Sequence, residues 1–153
     1  MLVPTHLLAT VLLSQALSLN ETEVYAAIIA GVAIDLDHLF VSNEWLKEAR
    51  DFFHAQTIHS RGNLHTWLHE PIFGLSVAII VGLLLSHSSP IRWWIMPLFL
   101  LIHIAMDKIM NYEHQPLAPF SKWTYRGWLP AGTKMEFILS LLAVVIWIVF
   151  VIK

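Results

Sequence analysis

An all-α, polytopic membrane helical bundle is the fold class this sequence predicts, on three observations. Hydrophobic residues make up 57% of the 153 and charged residues only 13%, where soluble domains carry roughly 25% charged. Mean hydropathy is +0.65. Five apolar segments can be drawn, at 2–19, 24–40, 72–86, 91–110 and 135–152; at about 1.5 Å per residue, roughly 17–20 residues cross a hydrocarbon core of about 30 Å. Finally, the basic residues divide unevenly between the two faces those segments define. One integral membrane domain over 1–153 uses the whole length and leaves no room for a soluble catalytic domain.

The first segment lacks a basic stretch ahead of its apolar run, so it reads as retained rather than cleaved. Asn20-Glu21-Thr22-Glu23 then makes a tight turn into the second segment. Residues 42–62 place Trp45, Leu46, Ala49, Phe52 and Phe53 at helical spacing with charges between them, behind Asn43 as N-cap. That pattern predicts an interfacial amphipathic helix. The third segment is short and could start earlier, within 65–70, with Pro71 kinking it. Residues 86–90 form a second tight turn. The connection at 111–134 carries three prolines with Phe120, Trp123, Tyr125 and Trp128 interleaved, an ordered loop at the membrane–water boundary. The last segment, with no polar interruption beyond Ser140 once past Glu136 at its start, reads as a lipid-facing helix.

If all five segments cross, one face holds Lys47, Arg50, Arg61, Lys108, Lys122, Arg126 and Lys134, and the other Arg92 and Lys153. The positive-inside rule puts the first face, with the N-terminus and both long connections, in the cytoplasm, and the C-terminus outside. The same face collects His6, Asp35, Asp37, His38, His59, His65, His69, Glu70, His103 and Asp107 at one depth. Ionisable groups within apolar segments mark function by default.

The spacings suit metal ligation. His103 and Asp107, and likewise His65 and His69, stand at i and i+4 on one helix face, and Asp35 and His38 at i and i+3. Imidazole and carboxylate without sulfur favour zinc, manganese or iron over magnesium or copper(I). With no cysteine in the chain, disulfides and thiolate sites are excluded. A net charge of −2 shows no nucleic-acid footprint. The candidates exceed the three protein ligands of a single catalytic zinc, so one or two ions are expected. Simpler readings stand beside these. His87 and His114 can be hydrogen-bonded interface residues, His54 a surface residue, and His103–Asp107 a tether between helices. Asp37 can cap a helix, and Arg61 can meet lipid phosphate.

Read in order, Thr5-His6, Asp35-Leu36-Asp37-His38, Arg61-Gly62-Asn63-Leu64-His65-Thr66 and His103 with Asp107 four residues on resemble the bacterial membrane-bound, YdjM-like metal-dependent hydrolases. Leu117-Ala118-Pro119-Phe120-Ser121 is similar to that family's Pro-Phe segment, so the resemblance covers residues 5–121. Ile34 replaces a proline, Leu64 a threonine, and Ser60 a histidine, with His59 one place earlier. These departures favour His65 over His59 as the ligand carried over. The resemblance implies a metal-dependent hydrolase of the inner membrane. A more distant similarity, through helical His-xxx-Asp pairs, is to zinc-dependent phospholipase C-like enzymes.

The sequence reading is therefore a hydrolase with His6, Asp35, His38, His65, His103 and Asp107 as metal ligands and Asp37 as ligand or general base. His69 and Glu70 serve as general acid–base or supporting groups, and Arg61 neutralises an anion. The partners are membrane lipids, and the substrate a phosphoester or lipid head group. Two other readings are a divalent-metal transporter or metal-responsive protein, and a structural subunit whose polar residues join helices.

Overall fold

The computed structural model describes residues 3–37, 67–111, 113–114, 116–117, 120–129 and 134–151. The expected amphipathic helix over 42–62, with Asn43 and His54, lies outside them, as does His59. Five α-helices are described: α1 (Val3–Ala16), α2 (Glu21–Gly31), α3 (Pro71–Ser88), α4 (Ile95–Lys108) and α5 (Lys134–Val151). Short 3-10 turns occupy Ala33–Asp37 and Trp67–His69. The 111–134 connection also forms a small antiparallel ladder, β1 (Glu113–His114) with β2 (Tyr125–Arg126), which the all-α expectation did not include.

Helix α1 ends where its chain turns back. Ser18 takes a left-handed conformation (φ 49°). Its N–H donates to the Gln15 carbonyl, and that of Leu19 to the Ser14 carbonyl, each at 3.0 Å, which is a Schellman stop. Asn20 then caps α2. Its side chain accepts from the Glu23 N–H at 3.0 Å, and the Glu23 carboxylate accepts from the Asn20 N–H at 3.2 Å, a capping box. Pro71 sits at the first turn of α3 rather than kinking it, because 67–69 is a separate turn. An N1 proline has no N–H that the helix needs.

Helix α4 presents one stripe inward, Ile95, Phe99, Leu100, His103, Ile104 and Asp107. It packs on the alanine face of α2 (Ala26, Ala27, Ala30). On its other flank, α3 offers Gly74, Ala78 and Gly82, spaced by four. A methyl group added at Gly82 would overlap the Trp93 carbonyl, and one at Gly74 the Leu68 carbonyl. Small residues at this spacing let apolar helices close on each other where water provides no driving force.

Helix α5 lies along α1, held there by Glu136, Ser140 and Trp147. Thr5 Oγ1 donates to Glu136 Oε1 at 3.0 Å and shares a 2.7 Å hydrogen bond with Ser140, while Trp147 Nε1 donates to Gln15 Oε1 at 2.7 Å. The pairing of 5 with 136 and 15 with 147 makes the two helices parallel.

Five full-length spans were expected, but among the described residues one helix, Pro71–Ser88, is long and apolar enough to cross a membrane. Glu136–Val149 is a shorter apolar stretch. The other three stop early for local reasons. Ser18 turns α1 at residue 16, α2 unwinds after Gly31, and α4 begins only at Ile95.

Candidate metal centre

The unwinding of α2 builds the site. Within a continuous helix the Gly31 carbonyl would accept from the Asp35 N–H; instead that N–H donates to Val32 at 3.2 Å, in the 3-10 turn. The released Gly31 carbonyl accepts from Nδ1–H of His103 at 3.0 Å. A carbonyl only accepts, so the proton of His103 is fixed on Nδ1 and its Nε2 is left to face the site. Asp35, carried on the same turn, is thereby brought against α4.

Around His103 Nε2 stand Asp35 Oδ1 at 3.2 Å, Asp107 Oδ2 at 3.3 Å and His69 Nε2 at 3.1 Å. His69 Nε2 is also 3.3 Å from Asp35 Oδ1. From α1, His6 stacks its ring on that of His103, with centroids 3.9 Å apart and planes at 22°. His6 Nε2 meets Asp107 Oδ1 at 3.1 Å. Asp107 thus lies between two imidazoles, one carboxylate oxygen to each. His6 and His103 are 1% exposed and Asp107 7%. One ligand atom each from His6, Asp35, His103 and Asp107 all fall within 4.8 Å of one another.

These residues fit a cation. Ionised carboxylate oxygens and imidazole lone pairs are all acceptors. A proton on His103 Nε2 can satisfy only one of the three groups facing it. Donors held about 2.0–2.1 Å from a tetrahedral zinc are roughly 3.3 Å apart, which matches the separations around His103. Two buried atoms, His6 Nδ1 and Asp35 Oδ2, have no hydrogen-bond partner among the described residues. The carbonyl behind His103 is the usual orienting group of a metal-binding histidine.

Of the residues singled out in the sequence, His6, Asp35, His103 and Asp107 come together, and His69 joins them in direct contact. That contact arises from the 3-10 turn at 67–69, which the sequence reading treated as the start of a helix. Glu70 is buried beside Lys108, whose Nζ is 3.9 Å from Glu70 Oε2. Asp37 closes the turn at Ala33–Asp37, but its side chain lies outside the described residues, as do His38, Arg61 and His65. His87 is exposed. His114 is buried away from the cluster and donates from Nε2 to the Met110 carbonyl at 3.1 Å. The Gly31 carbonyl was missed, since only the break in α2 releases it; the signal available was a glycine followed by β-branched Val32 ahead of the acids.

The model of the YdjM inner membrane protein family matches residues 1–153. The chain belongs to that family. No curated protein and no solved structure matches it. Membership in the YdjM family makes this an inner membrane protein, in keeping with its mean hydropathy of +0.65. The His–Asp cluster could hold a metal ion of this YdjM protein.

Proposed function

We propose that this YdjM-family protein is a membrane-embedded metal-dependent hydrolase. The observation that carries the reading is the convergence of imidazoles and carboxylates from α1, α4 and the Ala33–Asp37 turn on one buried volume, with His103 locked in the ligating tautomer by Gly31. His6, Asp35, His103 and Asp107 would hold the ion, with His69 beside them. Zinc, manganese and iron suit this donor set. A bound ion of this kind makes water nucleophilic near neutral pH and polarises a phosphoryl or carbonyl oxygen.

The protein's own groups supply the rest. Gly31 fixes the ring of His103. Asp107 holds the rings of His6 and His103 together, and Asp35 holds those of His103 and His69. His69 and Glu70, the latter buried beside Lys108, would serve as general acid–base or supporting groups, with Asp37 as a further ligand or the general base. The substrate class is a phosphoester or lipid head group, with Arg61 as its anion partner. The positive-inside count supports a multi-pass chain with its N-terminus and site on the cytoplasmic side, and parallel α1 and α5 agree with alternating passage. Elemental analysis of detergent-purified protein tests the reading, together with hydrolysis of phosphoester and phospholipid substrates before and after chelation. We expect stoichiometric transition metal and activity that chelation removes and metal restores; protein without metal would overturn it.

One observation favours a second reading, a divalent-metal transporter. The buried residues of α1 are His6, Thr10 and Ser14, a polar stripe at i, i+4 and i+8 that leads away from the cluster. Proteoliposome uptake of zinc or manganese that is abolished by Asp107→Ala would put this reading first.

A further inference from the structure

The loop joining α4 to α5 is built unlike an ordinary connection. It is fastened to the last turn of α4 at many points. The Trp128 and Leu129 N–H groups both donate to the Ile109 carbonyl at 3.0 Å, and the Asn111 N–H donates to the Leu129 carbonyl at 2.7 Å. The Tyr125 hydroxyl donates to the Lys108 carbonyl at 3.0 Å. Gly127 lies so close to the Ile109 and Met110 carbonyls that any side chain there would overlap them. His114, 2% exposed, underlies the hairpin against the Tyr125 ring, with centroids 5.1 Å apart.

On this rigid base the outward residues are the wrong kind for water. Phe120 is 79% exposed, Trp123 57% and Trp128 78%. Lys122 and Arg126 are exposed among them. Indole and phenyl rings interleaved with exposed cations are complementary to one surface in particular, an anionic phospholipid head-group layer, where rings sit among the glycerol groups and cations meet phosphate.

We infer that the exposed residues Phe120, Lys122, Trp123, Arg126 and Trp128 of this hairpin form a docking surface for anionic phospholipid head groups. Because it is bonded directly to residues 108–111, it fixes the depth at which Asp107 and His103 are held. The candidate centre then lies next to the head groups, and under the hydrolase reading, on which this consequence rests, a membrane lipid reaches it from the side.

The absence of cysteine allows a direct test. Single cysteines at Trp123 and Trp128, nitroxide-labelled in the full chain in phosphatidylglycerol-containing nanodiscs, report depth by power saturation with oxygen and an aqueous nickel chelate. Both labels are expected about 5–10 Å below the phosphates. In Lys122→Gln/Arg126→Gln, or in purely zwitterionic lipid, nickel accessibility should rise about threefold or more. Labels as open to nickel as a free aqueous nitroxide would overturn the inference, as would spin–spin broadening showing that a second copy covers the hairpin. Metal content is measured on the same samples, so failure of the docking surface and failure of the metal centre are read separately.

Discussion

Helix α2 carries an acid near each end, and the two are satisfied by opposite means. In its first turn Glu23, 2% exposed, takes a two-pronged grip from Arg92, with Nε donating to Oε1 at 2.6 Å and Nη2 to Oε2 at 2.8 Å. The Arg92 backbone N–H donates to Oε1 as well, at 3.2 Å, and its guanidinium lies over the Trp94 ring. The charge there is permanent and the pair is closed. Just beyond the other end, the described partners of Asp35 are the imidazoles of His69 and His103. Imidazoles can exchange protons for metal, and one oxygen of Asp35 keeps no hydrogen-bond partner among the described residues. The first arrangement ties the α1–α2 turn to the start of α4; the second is organised to receive something.

The comparison can be broken at either end, and removing His103 should do the most. His103→Ala is expected to lose stoichiometric metal, measured by elemental analysis after purification, whereas Glu23→Ala should retain it. Loss of metal in both variants would mean that the two ends are not separate. Next comes Gly31→Ala. Its new methyl group would overlap the Thr10 hydroxyl and displace the carbonyl that orients His103. Affinity should fall about 10–100-fold in chelator competition, and Gly31→Ala/Thr10→Ala should recover part of it.

At the closed end, Glu23→Ala should cost about 1–2 kcal/mol in denaturant titrations in micelles, the low side for a charge-assisted pair because Arg92 is half open to its surroundings. Arg92 beside it lowers the Glu23 carboxyl from 4.5 to about 2. A carboxyl lowered on folding contributes fully above its unfolded value and loses that contribution as pH falls toward the folded one. The stability gap between wild type and Glu23→Gln should therefore be complete above about 4.5 and shrink toward about 2. A gap that stays constant through acid would mean that the pair is not ionic. The smallest effect belongs to Ser14→Ala, within about 0.5 kcal/mol, since its buried hydroxyl has no hydrogen-bond partner among the described residues; unchanged metal uptake in that variant would weaken the transporter reading.

What could be read in the sequence was whatever depends on neighbours along the chain. His103 and Asp107 share a face because four residues make about one turn, and the ionisable groups stood out against an apolar background. The Asn20–Glu23 turn was also legible, as was the aromatic connection before α5. Pairings between distant residues were not. Arg92 meets Glu23 across 69 positions, and the sequence reading counted it only as a basic residue on the sparser face. Helix lengths were overestimated because hydropathy continues through Leu17 and Val32, where the backbone has already left the helix. Nor could composition show that Ser140, read as a polar interruption in a lipid-facing helix, would join Glu136 and Trp147 in attaching that helix to α1.

A single oxygen atom, that of Gly31, joins the end of one secondary-structure element to the aim of a side chain on another. Were the α2 ladder to continue one more turn, an amide would claim this oxygen and the imidazole opposite would be free to spin. The capacity to grip a cation here is thus tied to a helix stopping on time, and a more regular fold would be a poorer receptor.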